Sequence, residues 1–143
     1  MDFIQFVAEG YPKIYEEQLT GDTKKDRGAR RMIQFHRMNK ERDVAILSLF
    51  LGSGLRISEL VNLDVDDVNK FNRTLNVLRK GNKEDIVDFD GALINLEEYL
   101  EVRSEQYELS SNVKPLFVPS KVGRKGTGRM TVNSRFFRKC SYS

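Results

Sequence analysis

The sequence contains few of the residues that build covalent cross-links and metal centres. Among its 143 residues there is one cysteine, Cys140, and one histidine, His36. A single cysteine excludes an intrachain disulfide and any metal cluster held by several cysteines. The two residues together also provide too few ligands for a zinc site, so no metal is expected. The lack of disulfide-forming pairs is typical of a reducing compartment, which predicts a cytoplasmic protein.

Long apolar runs and targeting signals are missing as well. The apolar run at 44–51 is far too short to span a bilayer. Residues 1–4 lack the basic region and the small-residue cleavage site of a signal peptide, so no membrane partner is expected. Hydrophobic residues make up 39% and charged residues 31% of the chain. That composition is ordinary for a folded protein, and it predicts one small domain over residues 1–143.

Basic residues are concentrated at two places, although the net charge is only +3. Between residues 24 and 42 there are eight basic and two acidic residues, and between 121 and 143 there are seven basic residues and no acidic one. The stretch 57–101 between them is acidic on balance. Two basic segments around an acidic body indicate a polyanion partner on one surface. The alternative is a set of solvated, lysine-rich loops that bind nothing specific.

Apolar spacing predicts a chain made mostly of helices. Helices are predicted at 2–19 with a break near Gly10-Tyr11-Pro12, at 30–38, at 41–51, from about 55, at 92–107 with Asp90 as N-cap, and from Thr131 to about Cys140 with Val132, Phe136 and Phe137 inward. The helix at 41–51 is apolar around its circumference and is therefore predicted to be central to the core.

The middle of the chain changes from helical to alternating spacing. Residues 74–79 and 85–89 alternate, and Lys-Gly-Asn-Lys at 80–83 is typical of a turn, so an antiparallel β-hairpin is predicted. The short apolar segment 115–118 is either a small strand or a segment tucked into the core. The predicted fold class is α+β, mostly helical with a small antiparallel sheet.

The segment 42–89 carries two linked motifs. Residues 52–60 read Gly-Ser-Gly-Leu-Arg-Ile-Ser-Glu-Leu, and residues 79–83 read Arg-Lys-Gly-Asn-Lys. The pair resembles the catalytic domain of the tyrosine recombinases, the family of the phage integrases and the Xer-type chromosome-dimer resolvases. Within it the sequence is most similar to the XerS type. The likeness is close over the middle third of the chain and looser elsewhere, and it implies the N-terminal portion of such a catalytic domain.

Arg56 matches the first catalytic arginine of that family. Attack on a phosphodiester places extra negative charge on the non-bridging oxygens. A guanidinium offers two parallel donors and stays charged, which suits it to stabilise that charge. The alternative is a surface arginine paired with Glu59, three residues further on.

Lys80 matches the hairpin lysine of the family and lies 24 residues after Arg56. A hairpin tip can carry an ammonium group into a DNA groove and donate a proton to the leaving 5′ oxygen. The alternative is a turn lysine that keeps an edge strand from aggregating. Glu59 also matches the family pattern, and the resemblance implies a supporting role in which its carboxylate orients Arg56.

Other basic residues are candidates for DNA contact: Arg79, Lys83, Arg124 and Lys125. Asp64, Asp66 and Asp67 form an acidic cluster, but the spaced ligands and glycine turn of a calcium loop are missing. The family places these aspartates in a turn and uses no metal and no cofactor, because the phosphotyrosyl link conserves the bond energy.

The resemblance also implies a His-x-x-Arg motif, a second histidine or tryptophan, and a tyrosine nucleophile. None of these is found at a matching position in the 143 residues. His36 precedes Arg56 and lacks the motif, and Tyr142 lies too early to be the nucleophile. We therefore expect that the C-terminal part of the catalytic domain is absent and that the chain alone is inactive.

The function that the resemblance implies is site-specific recombination of double-stranded DNA through a 3′-phosphotyrosyl intermediate. The full-length enzyme is expected to oligomerise on DNA. Two alternatives stay open. One is a non-catalytic DNA-binding module in which Arg56 and Lys80 only grip phosphates. The other is a protein-interaction domain with solvated basic segments.

Overall fold

A computed structural model describes residues 3–119, 128–132, 134, 136 and 137, except for the side chains of Phe3 and Tyr11. The chain begins with helix α1 (Phe3–Gln5), a π-helical turn (Phe6–Gly10) and helix α2 (Tyr11–Glu17). The predicted break near Pro12 is confirmed, since the wide turn falls just before this proline, which lacks the N–H of a regular helix. A Cβ on Gly10 would lie 2.4 Å from the Phe6 ring, so a larger residue at this position would displace that ring.

Two longer helices follow, α3 (Arg27–Met38) and α4 (Lys40–Ser53). The prediction of a buried helix at 41–51 is confirmed over most of its length, with Ala45, Ile46 and Leu49 at 0–1% exposure. Its last turn differs, since Phe50 and Leu51 are exposed. Gly54 ends the helix in the left-handed conformation, at φ +64°, which glycine adopts without strain.

The sheet has three antiparallel strands in the order β1 (Val68–Asn69), β2 (Thr74–Arg79) and β3 (Lys83–Asp88). Helix α5 (Ile57–Val61) and a 3₁₀ turn (Val65–Asp67) lead into it. The predicted hairpin is confirmed, with Arg79 opposite Lys83. Its turn therefore has three residues, one fewer than predicted. Strand β1 was not predicted, because two residues are too few to show alternation.

Helix α6 (Leu93–Gln106) follows a 3₁₀ turn at Asp90–Ala92. The prediction of Asp90 as the N-cap was wrong: the added turn moves the helix start to Leu93, and the Asp90 carboxylate pairs with Arg73 at 3.3 Å. Helix α6 packs on α4. Ser48, in the C-terminal half of α4, contacts Asn95 near the start of α6. Asn39, at the start of α4, accepts a hydrogen bond from the Tyr107 hydroxyl at the end of α6, so the two helices run antiparallel.

The apolar segment 115–118 is tucked into the core. Leu116, Phe117 and Val118 are at most 1% exposed, and Asp64 pairs with Pro115 as an isolated bridge. The prediction that a helix begins at Thr131 with Val132 inward was wrong, since neither residue is helical and Val132 is exposed. Phe136 and Phe137 are buried and helical. Residues 133, 135 and 138–140 of that predicted helix lie outside the described residues.

Buried polar groups connect this segment to the helices. Arg42, on α4, pairs with Asp43 at 2.9 Å and donates to the Val118 carbonyl at 3.0 Å. Arg103 and Tyr99, on α6, both donate to the Leu116 carbonyl. Burial raises the pKa of Tyr99 to about 12. None of the helices within the described residues combines the length and apolar character needed to cross a membrane.

Candidate active site

Arg56 lies at the junction between α4 and α5. Leu55 is buried and anchors the junction, and Arg56 is the extended N-cap residue of α5 with φ −78° and ψ 152°. Its side chain is exposed. With the other described residues, the Arg56 guanidinium forms no ion pair or hydrogen bond. The structure therefore does not contain the alternative, a surface arginine whose guanidinium pairs with Glu59.

Glu59 is the buried carboxylate of the site, at 8% exposure. Its Oε1 accepts a hydrogen bond from the Arg56 backbone N–H at 2.8 Å. Its charge is matched by Arg79, whose Nη1 lies 3.4 Å from Oε2 and 3.5 Å from Oε1. These longer distances correspond to an ion pair more than to a strong hydrogen bond. Glu59 thus contacts Arg56 through the backbone and leaves the guanidinium free.

Arg79 connects the hairpin to helix α5. Its Nε donates to Asp85 at 2.9 Å, across the hairpin, while Nη1 faces Glu59. The side chain is 35% exposed. A planar guanidinium can satisfy two carboxylates at once in this way. Arg79 therefore joins the strand that ends beside Lys80 to the helix that begins beside Arg56.

Lys80 lies in the hairpin turn, where Gly81 and Asn82 take positive φ values of +82° and +57°. Both Lys80 and Lys83, the first residue of β3, are exposed. This turn lies at the end of the hairpin near α5, because Arg79 reaches Glu59 from the last position of β2.

The side chains around this junction line one concave pocket of about 400 Å³. Its lining residues are Arg56, Glu59, Arg79, Lys80, Lys83, Glu84 and Asp85. Of the candidate residues named from the sequence, Arg56, Glu59, Arg79, Lys80 and Lys83 come together here. Arg124 and Lys125 lie outside the described residues. Asp85 was not predicted from the sequence. It lies opposite Val77 in the hairpin and reaches Arg79 diagonally, and such a contact leaves no signal in the motif.

The acidic cluster at 64–67 forms contacts within the protein. Asp64 pairs with Arg129, and the Asp67 carboxylate accepts the Asp64 N–H at 2.8 Å. Among the described residues there is no group of three or more histidine, cysteine or carboxylate side chains suited to a metal ion. His36 is buried, with its ring stacked on Tyr15 at 5.8 Å between centroids.

Comparison with known proteins gives consistent matches. Residues 25–138 match the phage integrase family. The tyrosine recombinase XerS of Streptococcus gordonii is 36% identical over 118 residues, which cover 82% of this chain and 30% of that protein. XerS of Streptococcus pyogenes serotype M5 is 45% identical over 67% of this chain and 25% of that protein. XerS of Lactococcus lactis subsp. lactis is 46% identical over 56% of this chain and 23% of that protein. The chain thus spans about a quarter of the length of these relatives.

Proposed function

This chain belongs to the phage integrase family, on the Xer-type tyrosine recombinase branch, and we propose that it forms part of the active site of a site-specific DNA recombinase. The observation that carries the proposal is the pocket in which Arg56 and Lys80 meet. Its carboxylates hold Arg79, while the Arg56 guanidinium stays free of ion pairs with the described residues. An exposed cation fixed by its backbone is suited to bind a phosphate.

Arg56 is proposed to stabilise the scissile phosphate. When a tyrosine oxygen attacks the phosphorus, negative charge grows on the non-bridging oxygens. A guanidinium donating two parallel hydrogen bonds stabilises that charge more in the transition state than in the ground state. Glu59 supports this role by holding the Arg56 backbone N–H at 2.8 Å.

Lys80 is proposed to donate a proton to the leaving group. Formation of the 3′-phosphotyrosyl bond breaks the bond to the 5′ oxygen, and that oxygen takes a proton from the Lys80 ammonium as it leaves. Rejoining runs the steps in reverse with a new 5′ hydroxyl, so the reaction uses no cofactor. Lys83 and Arg79, with Arg124 and Lys125, are proposed to contact the flanking phosphates.

The partner is proposed to be double-stranded DNA in the cytoplasm, and the full-length protein is proposed to oligomerise on it. The 143 residues hold no His-x-x-Arg motif. We therefore expect that this chain by itself neither cuts DNA nor forms a covalent adduct.

A non-catalytic DNA-binding module is the second candidate. The two basic segments favour it, since phosphate contacts alone give salt-dependent affinity without chemistry. In that case Arg56 and Lys80 grip phosphates in a protein that never cuts DNA.

The proposed function is tested by trapping covalent complexes. The full-length gene product is incubated with sheared genomic DNA of its source, denatured with detergent, and the DNA attached to protein is recovered and sequenced. Enrichment of one sequence through a tyrosine linkage supports the recombinase. Salt-dependent binding without any covalent DNA supports the second candidate and overturns the first. If the protein neither binds DNA nor forms an adduct, the result supports the protein-interaction alternative.

A further inference from the structure

Arg129 lies at the opposite end of helix α5 from Arg56. Its Nη1 donates to the Val61 and Leu63 carbonyls, both at 3.1 Å, and its Nη2 pairs with the Asp64 carboxylate. The last carbonyls of a helix lack partners within the helix, and an arginine close to them satisfies those acceptors and matches the negative end of the helix dipole. Arg129 therefore caps the C-terminal end of α5.

Helix α5 depends on such contacts because it has only five residues. A helix of this length is not stable by itself in water, so the surrounding structure fixes its direction. Leu60 and Val61 anchor one side of it in the core. The polar contacts at its two ends are Glu59 with the Arg56 N–H, and Arg129 with the terminal carbonyls.

The backbone next to Arg129 is anchored to the buried segment 115–118. The next residue, Met130, is 2% exposed, and its N–H donates to the Phe117 carbonyl at 3.3 Å. The Leu63 carbonyl that Arg129 contacts also accepts the Leu116 N–H at 2.9 Å. Arg129 therefore contacts the end of α5 from 66–68 residues further along the chain, at a place where Met130 and Leu63 are both hydrogen-bonded to the buried segment 115–118.

We propose that Arg129 is a positioning residue for Arg56. By fixing the C-terminal end of α5, it holds the N-cap residue at the other end so that the Arg56 guanidinium faces the pocket. The proposal rests on the proposed function for its effect on cleavage. A lysine could reach only part of this set, because three acceptors in two directions need the planar fork of an arginine.

The first test measures the cap in the 143-residue chain. Amide hydrogen exchange of residues 57–63 is followed by NMR in the wild type, Arg129→Met and Arg129→Lys. Loss of charge-assisted hydrogen bonds is expected to accelerate exchange roughly tenfold in Arg129→Met and less in Arg129→Lys. The matched control is Arg73→Met, which removes an exposed arginine paired with Asp90, and it is expected to leave these amides unchanged. Unchanged exchange in Arg129→Met overturns the proposal, whatever happens to cleavage.

The second test is a double-mutant cycle in the full-length gene product, with single-turnover DNA cleavage as the readout. If Arg129 acts through Arg56, Arg129→Met slows cleavage in the wild type by roughly tenfold or more, yet by less than about twofold when Arg56 is already lysine. If the two substitutions reduce the cleavage rate by independent factors, the positioning role is overturned. Arg129 then only stabilises the fold. If Arg129→Met accelerates amide exchange but the wild-type full-length protein cleaves no DNA, the proposed function is refuted. The role of Arg129 in the reaction is then refuted with it.

Discussion

At the scale of single residues, the site depends on which of its two arginines, Arg56 or Arg79, pairs with the Glu59 carboxylate. The sequence motif predicted that Glu59 supports Arg56, and the structure has the two in contact, through the Arg56 backbone N–H. The charge of Glu59 faces Arg79. The motif could not reveal this, because Arg79 lies 20 residues away and reaches Glu59 only when the hairpin folds onto α5. Local spacing predicts neighbours along the chain better than partners across it.

Two substitutions separate these functions of Glu59. Glu59→Gln keeps an oxygen that can accept the Arg56 N–H but removes the charge facing a half-buried arginine, so we expect the free energy of unfolding to fall by about 1 kcal/mol or less. Glu59→Ala also leaves the N–H without a partner, and we expect it to lose about 1–3 kcal/mol in total. Urea unfolding of the 143-residue chain measures both. Equal losses in the two variants would mean that the charge, and not the backbone contact, holds the junction.

At the scale of elements, the hairpin could be predicted because its residues alternate and a Gly-Asn pair marks its turn. The exact turn length could not, since Lys83 pairs with Arg79 and belongs to the strand. Helix α4 was predictable from its apolar residues, but its last turn projects beyond the core, leaving Phe50 and Leu51 exposed. The start of α6 was predicted to within one residue, but its N-cap was not, because the 3₁₀ turn at 90–92 uses the same kinds of residue as a helix cap.

The hairpin turn supplies a prediction about Gly81. Its φ of +82° lies in the left-handed region, and nothing lies within 4 Å of a Cβ built there. The cost of Gly81→Ala is therefore conformational, and we expect a loss of roughly 1 kcal/mol in unfolding free energy. Gly52→Ala is the matched control, because Gly52 also has open space around it but lies within α4. There alanine should be neutral or stabilising by up to about 1 kcal/mol. Similar losses at both sites would contradict this explanation.

At the scale of the whole molecule, two buried arginines connect helices α4 and α6 to the segment 113–118. Arg42 is 2% and Arg103 is 6% exposed, although arginines are seldom buried. Each is satisfied by backbone carbonyls of 113–118, and Arg42 also by Asp43. The sequence predicted that 115–118 is a small strand or a tucked-in segment. It could not predict that two arginines would bind it, because their carbonyl partners carry no side-chain signal.

The buried tyrosines predict how stability depends on pH. Burial raises the pKa of Tyr99 to about 12 and also raises the pKa of Tyr107 above its usual value. The unfolded chain then loses its phenolic protons at lower pH than the folded protein does. This contribution to stability is complete below about pH 10 and is lost as the pH rises through 12. Urea unfolding at pH 8 and pH 11.5 should show a smaller decline in Tyr99→Phe than in the wild type. An equal decline would assign the alkaline loss to other groups.

The central claim is that Arg56 stabilises charge on a scissile phosphate, and Arg56→Lys in the full-length gene product tests it most directly. Lysine keeps the positive charge but not the two parallel donors. We predict that single-turnover cleavage falls roughly a hundredfold to a thousandfold. DNA affinity should fall much less, since one phosphate contact is a small share of binding. Arg73→Lys, at an exposed arginine outside the pocket, should leave both unchanged. Cleavage by Arg56→Lys at the wild-type rate would contradict the claim and make Arg56 a structural or DNA-gripping residue.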